Sequence, residues 1–178
     1  AAHYRAKLFD RRRTPANVQA IEIFNGSSAL RFKTIKLIPT WQQFLRDGLR
    51  PAIVGGSDAH YAARAGLVVT VVGATDLSPE ALVRGAKAGR TYVTDDARLM
   101  LTVNGHGLGE TIRLGQGQKA FNVKIATHGT QRGRLRILHN RRQIFTKKLS
   151  PGCFEHAFRF EPKSLRRDGY FRVEIVRF

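Results

Sequence analysis

The chain has 178 residues, with 31 Lys and Arg against 13 Asp and Glu, and a formal net charge of +18. With 42% hydrophobic residues, 17 Gly and 6 Pro, it lies outside the compositions of disordered, collagen-like or low-complexity chains. It is long enough for one good core or two small ones, and its charge suggests a polyanionic partner: nucleic acid, an anionic lipid surface or a phosphate-bearing substrate.

One cysteine, Cys153, excludes an intramolecular disulfide framework and a cysteine-based zinc site. No apolar run approaches the ~18–20 residues of a membrane span. The longest, residues 66–73, is strand-sized. The polar start shows no signal peptide, which leaves cytoplasm and periplasm both open. The absence of an initial Met leads us to expect a processed protein or a piece of a longer one. Residues 1–96 carry 14 basic and 8 acidic side chains, and residues 97–178 carry 17 and 5. The periodicity changes at the same place.

The first part alternates strand and helix. Residues 18–24 are rich in β-branched and aromatic side chains and predict a strand. Over residues 30–49, Leu30, Ile35, Leu37, Ile38, Trp41, Phe44, Leu45 and Leu49 recur at helical spacing, and Pro39 is expected to kink or split that helix. Residues 51–55 form a short buried strand running into a Gly-Gly loop. Residues 67–72 form another, apolar on both faces as in a covered parallel sheet. Ser78-Pro79-Glu80 opens a helix with an N-cap, a first-turn proline and an acidic residue at the positive dipole end, and Gly89 ends it. Residues 91–94 return as a strand. This order predicts parallel α/β structure.

The second part has no comparable helix. Residues 99–103, 121–126, 134–138, 143–147, 156–160 and 170–177 alternate apolar with polar or basic side chains. With turns at Asn104-Gly105 and Asp168-Gly169, they predict an antiparallel sandwich with one wet face. Many arginines fall on that face, where their stems also cover apolar surface.

The sharpest local pattern is Gly55-Gly56-Ser57-Asp58-Ala59-His60. A strand ends in a loop that carries a carboxylate and an imidazole two residues apart. That pair suits zinc, manganese or iron, and strand C-terminal ends are where α/β barrels keep their functional residues. Asp-x-His alone is equally a loop-capping Asp beside a structural His. Four of the other five histidines (His106, His128, His139 and His156) are scattered singly and are expected to be structural or exposed, and His3 lies near the N-terminus, a segment expected to fray but able to approach the mouth of an intact barrel.

The pattern has company. Residues 21–26, 41–50, 54–60, Thr70 and 82–94, ending in Ala88-Gly89-Arg90-Thr91-Tyr92-Val93-Thr94, follow in an order that resembles the C-terminal third of PHP (polymerase and histidinol phosphatase) superfamily metal-dependent hydrolases. The resemblance is to the branch typified by carbaryl hydrolases, which carry a β-rich tail after the barrel. It implies a piece of a distorted (βα) barrel over residues 1–96 and a basic antiparallel β-sandwich-like domain over 97–178. It also implies Asp58 and His60 as ligands of divalent zinc, manganese or iron, and a metal-activated water that attacks a phosphate, carboxylic or carbamic ester. The substrate would be small and anionic or an ester. Asn25 falls where some relatives place a histidine and would line the mouth rather than bind metal. Glu22, alternating with Ile21 and Ile23, could point into the barrel interior or make a salt bridge or helix-facing contact instead, and Ser57 would line the site.

The family begins with His-x-His-Ser, and no His-x-His occurs in these 178 residues. A complete barrel needs about 200–250 residues. The chain as given is therefore expected not to be a competent hydrolase, and its partner would be a missing N-terminal barrel half or another chain. The alternative is a non-catalytic basic module that binds nucleic acid or another polyanion through the sandwich.

Overall fold

The structure, a computed structural model, describes residues 18–26, 37–163 and 169–178. The first half of the expected 30–49 helix, the Asp168 side of the second turn, and the N-terminal segment lie outside them.

The first strand, β1 (Ala20–Asn25), is followed by helix α1 (Ile38–Arg46) and strand β2 (Ala52–Gly56), and β1 and β2 pair in parallel. This is one βαβ unit. Pro39 sits in the first turn of α1, where its missing N–H costs nothing, so it starts the described helix instead of kinking it. Phe44 buries its ring on the inner face of α1, and the Trp41 indole N–H donates to the Pro51 carbonyl at 2.9 Å. That bond pins the helix to the entrance of β2.

A single 3₁₀ turn (Ala62–Arg64) leads into β3 (Val69–Val72), α2 (Pro79–Lys87) and β4 (Thr91–Thr94). Ser78 caps α2, its hydroxyl accepting from the Ala81 N–H at 3.2 Å, and Gly89 takes φ +71° just past the helix end. The expectation of parallel strands fails here: β3 and β4 pair antiparallel, from Val69 opposite Thr94 to Val72 opposite Thr91. The reason lies in the path of α2. A Cβ on Gly85 would stand 2.6 Å from the Gly73 carbonyl oxygen and 2.8 Å from a Val72 methyl. The last turn of the helix therefore returns to the point where the chain left β3. The Gly73 N–H then donates to the Arg90 carbonyl at 2.7 Å, and β4 can only run back along β3. A parallel crossover needs its helix to travel the full length of the sheet first. No barrel closes among the described residues.

The second part matches its alternating pattern. Strands β5 (Arg98–Val103), β6 (Phe121–Thr130) and β9 (Gly152–Phe160) form one antiparallel sheet, with β6 central. Strands β7 (Gly133–His139), β8 (Arg142–Leu149) and β10 (Phe171–Arg177) form the other, with β7 central. Leu101, Val103, Phe121, Val123 and Ile125 of the first sheet face Leu135, Ile137 and Leu149 of the second in one apolar core. Val123, Leu135 and Ile137 are wholly buried. Asn104 and Gly105 both take positive φ, as a tight turn of this type demands. No helix among the described residues is long and apolar enough to cross a membrane.

The α/β part and the sandwich touch. Arg50 donates to the Thr111 hydroxyl at 2.6 Å, Arg177 pairs with Asp95 and Asp96 at 3.2 and 3.1 Å, and the Trp41 and Tyr170 rings meet edge to face at 6.0 Å.

Candidate functional site

The site candidates gather at the C-terminal ends of β1 and β2. Register places Asn25 beside Gly56, and the Gly26 N–H donates to the Gly56 carbonyl at 2.9 Å. The two strands thus end together, and Ser57 to His60 leave from that shared end.

What holds β2 there is local chemistry. One edge pairs with β1. On the other side, the Thr70 hydroxyl accepts from the Gly55 N–H at 2.8 Å and donates to the Gly55 carbonyl at 2.7 Å. The Thr91 hydroxyl donates to the Ile53 carbonyl at 2.8 Å. Side-chain hydroxyls of β3 and β4 therefore satisfy backbone groups that a neighbouring strand would otherwise take. Gly55 allows this closeness, because a Cβ would meet Val93 Cγ1 at 2.6 Å and the Phe24 carbonyl at 2.7 Å.

Past Gly56 the backbone turns sharply. Asp58 takes φ +49°, a left-handed conformation that Asp tolerates better than most residues. Its side chain and that of His60 are exposed. His60 Nδ1 lies 2.8 Å from the backbone carbonyl of Asp58. A carbonyl only accepts, so Nδ1 carries the proton and the lone pair sits on Nε2. Metal-binding histidines are commonly oriented by this kind of contact.

Ser57 is half-buried beside Asp58. Asn25 and Glu22 bond to each other, the Asn25 amide N–H donating to the Glu22 carboxylate at 3.1 Å. Glu22 is exposed, and no barrel closes around β1 among the described residues. Among those residues no three His, Cys, Asp or Glu side chains converge. Asp58 and His60 have suitable donor chemistry, but as two ligands they do not make a complete centre.

The comparisons bear on this stretch. Residues 48–91 match the family model described as PHP-associated. The PHP-associated segment runs from Gly48 through β2, β3 and α2 to Thr91. It contains Asp58 and His60 and leaves out Glu22, Asn25 and the sandwich. The chain matches no curated protein and no solved structure.

Two features here are set by the fold. Thr70 and Thr91 belong to the stretches that carry the resemblance, but only the fold shows their hydroxyls bonded to the β2 backbone. The second is a group of polar side chains where α1 meets the sandwich, built from residues far apart in the chain. Of the remaining histidines, His106 contacts the Glu110 carboxylate at 3.2 Å. His139 lies among Phe121, Phe160 and Phe171, and burial there lowers its pKa below 6.5.

Proposed function

We propose that this chain contributes Asp58 and His60 to the metal centre of a PHP-type metal-dependent hydrolase, with donors from outside the described residues completing it. One observation carries the reading: Asp58-Ala59-His60 lies inside the PHP-associated segment and directly follows the shared C-terminal end of two parallel strands. The Nδ1–H contact of His60, which leaves Nε2 as the electron-pair donor, supports it. Zinc, manganese or iron fits a carboxylate and an imidazole. The substrate class would be a small phosphate, carboxylic or carbamic ester. The two donors held here do not suffice for turnover, and the remainder would come from a missing barrel half or another chain.

The test uses the product of the complete coding region. Asp58→Ala and His60→Ala are expected each to lower the bound metal, measured by elemental analysis, and to lose ester or phosphoester hydrolysis. Unchanged metal content and activity in both variants would overturn the assignment. A second reading, a basic module that binds nucleic acid, rests on the exposed Arg142, Lys147 and Lys148 along β8. Binding to mixed-sequence RNA that weakens steeply with salt would support it, and no binding at low salt would remove it.

A further inference from the structure

At the opposite end of β2 from Asp58, α1 packs against the start of β10. Trp41 leans edge-on against Tyr170, and α1 also brings Gln42 and Arg46. The turn between β7 and β8 brings Asn140 and Arg141. Asn140 clamps the backbone of Tyr170: its N–H donates to the Tyr170 carbonyl at 2.8 Å, and its side-chain oxygen accepts from the Tyr170 N–H at 3.1 Å. Arg141 is the next residue after that clamp. Gln42 is buried, and with its amide carbonyl turned toward Arg172 it accepts from that guanidinium at 2.6 and 3.1 Å. Arg172 also pairs with Glu174 at 2.8 Å.

Two donors in this cluster have no partner among the described residues. The Tyr170 hydroxyl and the Arg172 Nε–H are both fully buried and make no hydrogen bond. They lie two residues apart at the start of β10, at a spacing that puts them on one face. Buried polar groups are nearly always satisfied, and an orphan asks for an explanation. Arg46, which donates to the Gln43 side-chain oxygen, and Arg141 are both exposed, and Arg46 lies one helical turn beyond Gln42, the partner of Arg172.

We propose that Tyr170, Arg172, Arg46 and Arg141 form a binding site for a phosphate-class oxyanion, with the two orphaned donors as its floor and the two exposed guanidiniums as its rim. Such a ligand offers several acceptor oxygens, and guanidinium forks match them in pairs. The phenol remains protonated and able to donate: burial raises its pKa above 10.0, against the pull of Arg172, Arg46 and Arg141. Exposed side chains such as Arg46 and Arg141 can reorient toward a ligand, whereas Arg172 is held by Gln42 and Glu174. The site does not depend on the metal reading, since it uses neither Asp58 nor His60.

The chain contains one tryptophan, and that residue, Trp41, touches the site. The experiment is a titration with inorganic phosphate followed by Trp41 fluorescence, with sodium chloride at matched ionic strength as control. The expected result is a saturable change with phosphate alone, unaltered in Asp58→Ala. Arg141→Ala, Arg46→Ala and Tyr170→Phe should each weaken it by about tenfold, with the far-ultraviolet dichroism of all variants unchanged. A short thymidine oligonucleotide forms the second arm. If it gives the same change and phosphate displaces it, the oxyanion is a phosphodiester of a nucleic acid; if only phosphate acts, it is a free phosphate or monoester. A phosphate response no larger than the chloride control would overturn the proposal, as would equal affinities in wild type and in the Arg46→Ala, Arg141→Ala double variant.

Discussion

Thr70→Val tests how the candidate metal loop is held. The substitution keeps the size and β-branching of the side chain and removes the one atom that accepts from the Gly55 N–H and donates to its carbonyl, at 2.8 and 2.7 Å. Both bonds are part-buried, so water replaces them only in part. A hydrogen bond contributes about 1 kcal/mol net, and a stranded buried partner costs about 1–3 kcal/mol. Two such groups give an expected loss of about 2–4 kcal/mol, moderated by whatever water reaches them. Thr70→Ser keeps the hydroxyl and loses one methyl, about 1 kcal/mol. Urea unfolding followed by Trp41 fluorescence is the assay, because Trp41 is bonded to Pro51 at the entrance of β2 and reports on this part of the chain. With a slope of about 1–3 kcal/mol per molar urea, the midpoint of Thr70→Val should fall by about 1–2 M and that of Thr70→Ser by clearly less. A Thr70→Val midpoint equal to wild type, or below which Thr70→Ser falls further, would refute the account of β2 as sealed by hydroxyls.

Gly85→Ala should be destabilising by about 2 kcal/mol or more, because the added methyl would meet the Gly73 backbone at 2.6 Å and helix and strand must part to admit it; thermal unfolding of that variant checks this. His139 has a folded pKa below 6.5 because burial disfavours its charged form. Its contribution to stability is complete above pH 6.5 and is lost as pH falls through the lower folded value. The wild-type melting temperature should therefore drop on acidification below pH 6.5 by more than that of His139→Phe, and parallel pH profiles would contradict it. For the isolated 178-residue chain, calorimetric titration with zinc is expected to show weak binding that Asp58→Ala and His60→Ala each abolish, and undiminished heats in both variants would speak against these ligands.

The sandwich was legible because side chains alternate with the strand period. The burial along β6, with Phe121, Val123, Ile125 and Thr127 inward, repeats what the residue types announce. The α2 start was legible for a similar reason: Ser78-Pro79-Glu80 is a local signal and the cap is a local bond. The pairing sense of β3 and β4 was not. Apolar runs such as 67–72 say that a strand is covered, not which way its neighbour runs, and the direction was decided by Gly85 docking on Gly73. Asp58 and His60 stood out by residue type and by the glycines before them. The Tyr170 cluster did not, because Gln42, Arg46, Arg141 and Arg172 meet only after two sheets and a helix have packed.

The hydroxyl seal along β2 also gives this small sheet a direction of growth. Thr70 occupies the Gly55 N–H and carbonyl and Thr91 the Ile53 carbonyl on one flank of β2, so an incoming strand finds few groups there to bond. The flank of β1 away from β2 carries no such seal among the described residues. Enlargement of this sheet is therefore favoured outward from β1, where an added strand would extend the same rim that ends at Asn25 and Asp58.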